Sequence, residues 1–121
     1  MPDSLDLSKM ESVPVEGPYG FQRLHRYWLE ATGDLWDDLW INVDTDEYWS
    51  GALKGDLSVD YEPWMKYLKK NDRILEAGCG VGQVVLSLRA RGFDCHGLDY
   101  AEKVISTLKN HFPKVPFAQG D

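Results

Sequence analysis

Cysteine is scarce in this chain of 121 residues: there are two, Cys79 and Cys95, and they form no CxxC pair. That is too few for a disulfide framework. Neither they nor His25, His96 and His111 fall at metal-ligand spacing, so no zinc site is expected. Long apolar runs are also missing, since nowhere do about 18 apolar residues follow one another. The start Met1-Pro2-Asp3-Ser4-Leu5-Asp6 has neither the basic nor the apolar stretch of a leader. A cytoplasmic chain with no membrane partner is the expectation. Positive charge is in deficit, with 13 basic side chains against 20 acidic ones and a net charge of −7. Without a basic stripe to neutralise a phosphate backbone, nucleic acid is not an expected partner.

What is present has two textures. Residues 1–70 hold 7 basic and 14 acidic side chains and all five tryptophans, whereas residues 71–121 hold 6 of each charge and no tryptophan. A 43% hydrophobic content is that of a globular chain, so both textures are expected to fold. Residues 1–18 mix Pro2, Pro14, Gly17 and Pro18 with scattered acids and read as a loose arm. From Gly20, the spacing of Phe21, Leu24, Trp28 and Ala31 predicts a helix that Gly33 stops. Leu35, Trp36, Leu39 and Trp40 predict a short helix, with loop after it. Tyr61 to Lys70 reads as another short helix with Pro63 in its first turn. Residues 19–70 together are expected to be a helical, acidic, aromatic-rich cap.

After Asn71-Asp72 strands and helices alternate. Arg73 to Ala77 reads as a strand, Gly78-Cys79-Gly80-Val81-Gly82 as its turn, and Val84 to Arg91 as a helix closed by Gly92. Phe93 to Leu98 is a second strand, Val104 to Phe112 a second helix, and Val115 to Ala118 begins a third strand. Crossovers of this length predict an α/β fold with a parallel sheet and right-handed connections.

The three glycines stand where a strand ends and a helix begins, the edge at which open α/β sheets bind ligands. A dinucleotide fingerprint G-x-G-x-x-G needs glycine at position 83, where this chain has Gln83. Glu76 places a carboxylate beside the loop, which repels a pyrophosphate and welcomes a cation. Asp99, 21 residues after Gly78, ends the second strand where a carboxylate can accept from both hydroxyls of a ribose. A nucleoside with a cationic, phosphate-free tail is S-adenosylmethionine. Cys79 reads more simply as a small filler of the turn than as a nucleophile, because no neighbouring cation lowers its pKa.

The run Ile74-Leu75-Glu76-Ala77-Gly78-Cys79-Gly80-Val81-Gly82, with Gly97-Leu98-Asp99 and Gln119-Gly120-Asp121, resembles the first half of a class I S-adenosylmethionine-dependent methyltransferase. It is most similar to the small-molecule branch that includes the quinone-biosynthesis methyltransferases. The resemblance covers about residues 61–121. It implies a Rossmann-like sheet, here truncated to a three-stranded βαβαβ half over 71–121. It further implies that Glu76 lies near the methionine amino group and that Gly78, Cys79 and Gly80 line the methionine and ribose. Asp99 would hold the ribose hydroxyls, Tyr100 would flank the adenine, and Asp121 would accept from the adenine amino group. Ala101 departs from the family's usual Ser or Thr, which weakens the start of the second helix. Tyr48 and Trp49 are read as core or as cover for the cofactor.

No residue is identified as catalytic, because the family's acceptor site lies largely after its fourth strand. A small-molecule acceptor is expected, and an acidic cap disfavours a polyanionic one. The alternatives are a non-catalytic nucleoside-binding module or partner subunit, and a nicotinamide-dependent oxidoreductase. With both crossovers on one face, the other face and the first strand's free edge are expected to be open and to favour self-association.

Overall fold

The computed structural model describes residues 12–16, 22–27, 32–41 and 43–121, in two units, Met1–Ala31 and Thr32–Asp121. In the first unit, β1 (Ser12–Glu16) pairs antiparallel with β2 (Gln22–Tyr27), Ser12 opposite Tyr27 and Val15 opposite Leu24, with a register shift between Val15 and Glu16. This corrects two expectations. Residues 12–16 are strand within the expected loose arm, and residues 22–27 are strand where a helix was expected. The helical reading rested on four apolar positions, and a helix that short has little stability of its own. The competing ladder is made with the β-branched Val13 and Val15, a pairing that periodicity within one segment does not encode. Phe21, Trp28 and Ala31 lie outside the described residues.

The second unit begins with two helices, α1 (Gly33–Trp40) and α2 (Thr45–Ala52). Thr32 caps α1 by accepting from the Leu35 backbone N–H at 3.3 Å, so Gly33 opens a helix rather than ending one. The loop expected after Ile41 contains α2, a further correction. Asp44 caps it by accepting from the Glu47 N–H at 3.3 Å, and the Asp-x-x-Glu spacing is the signal that the glycines had obscured. Glu62–Tyr67 is a 3-10 helix with Pro63 in its first turn.

The alternating half follows as β3 (Arg73–Ala77), α3 (Gln83–Ala90), β4 (Asp94–Asp99), α4 (Glu102–His111) and β5 (Phe117–Gln119). The sheet is parallel throughout in the order β3-β4-β5, with Ile74 beside Cys95 and Gly97 beside Phe117. One face carries Cys95, Gly97 and Phe117 into the core formed with Val85, Leu86, Leu88, Ile105 and Leu108 of the two crossover helices. The other carries Leu75, 60% exposed, with Ala77 and Ala118 also exposed. The helices α1 and α2 pack on α4 and α3. Within this unit neither helix covers the Leu75 face. No helix among them is long and apolar enough to cross a membrane.

Candidate cofactor site

The strand β3 must turn sharply into α3, and the glycines make this turn. Gly80 has a φ of 52°, and a Cβ on it would come within 2.8 Å of the Trp40 ring. Gly82, at a φ of 79°, is the residue from which α3 starts, and a Cβ there would meet Phe117 at 2.9 Å and Leu108 at 3.0 Å. Both positions exclude a side chain twice over, by backbone conformation and by space.

The loop's backbone donors are turned inward. The N–H groups of Gly78 and Cys79 both donate to the Leu98 carbonyl, at 2.8 and 2.9 Å. The Gly80 N–H donates to Oδ2 of Asp99 at 2.7 Å, and the Gly82 N–H donates to the Cys79 carbonyl at 2.9 Å. Loops that hold a pyrophosphate aim such groups at the ligand; here these four are used within the protein.

Asp99 is buried, and its second oxygen accepts from the Ala101 N–H at 2.9 Å. One carboxylate thus joins the end of β4 to the glycine loop and to the start of α4. A carboxylate has about four acceptor positions, and these contacts use two of them.

A cleft of about 360 Å³ opens at this carboxyl edge, lined by Gly78, Asp99, Tyr100 and Asp121 together with Trp36 and Trp40. The structure therefore brings together four of the seven residues singled out in the sequence. Gly80 meets the cleft only through Trp40, which rests on it. Cys79 is turned away into the core, where burial and the charges of Asp99 and Glu76 push its thiol up to about 12. It cannot serve as a thiolate at neutral pH. Glu76 lies behind the loop, half-buried in β3, and burial raises its pKa above the ordinary carboxylate value. A neighbouring ammonium would reverse that shift.

Among the described residues the cleft has no basic lining; it presents two carboxylates and three aromatic rings, those of Trp36, Trp40 and Tyr100. This donor set suits an aromatic base, a ribose and a cation, and leaves a pyrophosphate without a partner. The tryptophans were missed in the sequence because nothing local shows that α1 crosses the glycine loop. Trp49 is placed differently. It is 7% exposed, and its indole N–H donates to the Val81 carbonyl at 2.8 Å. It holds the outer side of the loop, against Phe112 at 5.0 Å, and does not line the cleft. Tyr48, exposed on α2, does not line it either. Among the described residues no cluster of three metal-ligating side chains occurs.

Residues 75–121 match the methyltransferase domain family. The matched segment runs from within β3 to the end of the chain and contains the glycine loop and Asp99 at the end of the neighbouring strand. YqeM of Bacillus subtilis, a curated protein provisionally named a methyltransferase, is 32% identical over 50 residues, which are 38% of this chain and 20% of that protein. The chain spans about a fifth of the length of this curated relative. The crystal structure of DesVI from Streptomyces venezuelae aligns over 78% of this chain and 37% of its own, at 23% identity and a TM-score of 0.40.

Proposed function

We propose that this chain is the cofactor-binding portion of a methyltransferase that uses S-adenosylmethionine to methylate a small-molecule acceptor in the cytoplasm. The observation that carries the reading is the cleft itself. Gly78, Asp99, Tyr100 and Asp121 converge there, without a basic side chain and with the loop N–H groups already satisfied. When bound, the cofactor supplies a sulfonium-activated methyl group open to in-line attack by the acceptor. The chain's own residues orient it: Asp99 accepts from the ribose hydroxyls and Tyr100 flanks the adenine. Asp121 accepts from the adenine amino group, and Glu76 places negative charge behind the methionine end. Orientation of this kind is the main thing a protein contributes to such a displacement.

Calorimetric titration of the 121-residue chain tests this. S-adenosylhomocysteine is expected to bind and NADH to bind at least about tenfold more weakly, for want of a pyrophosphate partner. Tighter binding of NADH would overturn the reading. The Leu75 face supports self-association, and light scattering on the same sample is expected to show a mass above that of one chain; a monodisperse monomer would refute that part.

A further inference from the structure

The helix α4 starts badly by its own sequence. Its N-cap residue is Ala101, with the extended backbone of a capping position but no side-chain oxygen to accept from the first turn. The orphan donors are satisfied from elsewhere. Asp37, in the middle of α1 and only 5% exposed, accepts from the Val104 N–H with Oδ1 at 3.0 Å and from the Lys103 N–H with Oδ2 at 3.3 Å. These are the second and third N–H groups of the helix, the two that an N-cap Ser, Thr or Asp satisfies locally. The negative charge also sits at the positive end of α4, which adds to the attraction.

The same helix α1 forms the tryptophan wall of the cleft. Gly33, at its start, lies against the Tyr100 carbonyl, where a Cβ would come to 3.0 Å. Trp40, at its end, lies on Gly80. In between, Trp36 faces the cleft while Asp37 reaches α4. An eight-residue helix spans about 12 Å, so α1 bridges the loops that leave β3 and β4, and its one buried charged group is fastened to the scaffold. Among α1's acidic side chains, only Asp37 makes that attachment; Asp34 is exposed.

We propose that Asp37 is a positioning residue for the cofactor: by capping α4 from a different helix, it holds Trp36 and Trp40 as the tryptophan wall of the nucleoside cleft. Ala101 is what makes this linkage obligatory. A serine there would satisfy α4 on its own and leave α1 free to move away. The proposal rests on the reading of the cleft as an S-adenosyl site, and its test separates the two.

The test uses Ala101→Ser to divide the capping role of Asp37 from the positioning one, in the full chain. Asp37→Ala alone is expected to loosen both the first turn of α4 and α1 in amide hydrogen exchange. Asp37→Ala with Ala101→Ser is expected to return α4 to its original protection. The α1 amides should still exchange about tenfold faster than in the unaltered chain, with the Kd for S-adenosylhomocysteine raised about tenfold. Asp34→Ala, which removes an exposed acidic side chain of α1 that does not reach α4, is the control and should leave α4 protection and the Kd unchanged. If the double variant recovers α1 protection and cofactor affinity together with α4, Asp37 is a cap and nothing more, and the proposal is overturned. If α1 loosens but affinity is kept, α1 is not a wall of the site and the proposal is again overturned. If the unaltered chain binds no S-adenosylhomocysteine while α1 loosens as described, the anchoring of α1 by Asp37 is supported and the cofactor reading alone fails.

Discussion

The helices α3 and α4 occupy equivalent places in the repeat, each following a strand of the same sheet, and neither has a side-chain cap of its own. They are started in different ways. For α3 the start is local: Gly82 takes a left-handed conformation, and the Leu86 N–H closes back on the Gly82 carbonyl at 2.9 Å. The helix α4 makes the same closure, from the Ile105 N–H to the Ala101 carbonyl at 3.1 Å, and receives Asp99 from two residues upstream; what sets its start apart is the remote carboxylate of Asp37 from α1. A locally started helix survives rearrangement of its surroundings; a remotely started one transmits it. The candidate cleft lies between the two starts, with the glycine loop on one side and Tyr100 on the other.

The largest effect is expected where the two starts share a group. Asp99→Ala removes the acceptor of both the Gly80 and the Ala101 N–H. A hydrogen bond to a charged group is worth about 1.5–3 kcal/mol, so for two of them a loss of about 3–6 kcal/mol in urea unfolding is expected, and cofactor affinity should fall with it. A fully stable Asp99→Ala chain would mean that the loop and α4 are not joined through this carboxylate. Next comes Gly82→Ala, which strains α3's start and presses on Leu108 in the body of α4 but leaves the Asp37 and Asp99 contacts at α4's start in place. The left-handed backbone costs about 1–2 kcal/mol, and the approach of Phe117 and Leu108 adds a packing penalty of similar size. Unfolding should lose about 2–4 kcal/mol, with hydrogen exchange at the α4 start unchanged. Loosening of α4 in this variant would break the distinction between the two starts.

How far these features are legible in the sequence follows the same division. The glycine loop, Gly92 after α3, the strand β3 and the apolar spacing of Val104, Ile105 and Leu108 are local signals, and the sequence carries them openly. The pairing of Gln22–Tyr27 with Ser12–Glu16 is a contact between segments, and the helical spacing misrepresents it. The passage of α1 over Gly80 is likewise tertiary, so Trp36 and Trp40 escaped notice while Tyr48 and Trp49 attracted it. Asp37 is an intermediate case. The missing cap at Ala101 is visible in the sequence as a deficit, and a deficit at a buried helix start implies a carboxylate or hydroxyl from elsewhere. Which one supplies it is decided only by the packing of α1 on α4.

The smallest effect separates electrostatics from scaffold. Burial raises the pKa of Glu76 above its ordinary value of 4.5, so the folded chain disfavours the ionised form. The stability linked to this group is present below that ordinary value and is lost as the pH rises through the raised one. Glu76→Gln escapes the loss. Its ligand-free melting temperature should exceed the unaltered chain's at pH 7, with the difference closing near pH 4, while its affinity for S-adenosylhomocysteine should fall. A variant that melts lower at pH 7 would show that Glu76 contributes to the fold rather than being held against it.

Whether a nucleoside occupies the cleft between the two helix starts can be read residue by residue from backbone NMR during titration with S-adenosylhomocysteine. Saturable shifts are expected at Gly78, Gly80, Tyr100 and Asp121 and at the indole N–H groups of Trp36 and Trp40. The Trp49 indole N–H, bonded to the Val81 carbonyl, should shift least among the tryptophans of α1 and α2. Shifts confined to the Leu75 face, or none at saturating ligand, would contradict nucleoside binding in this cleft.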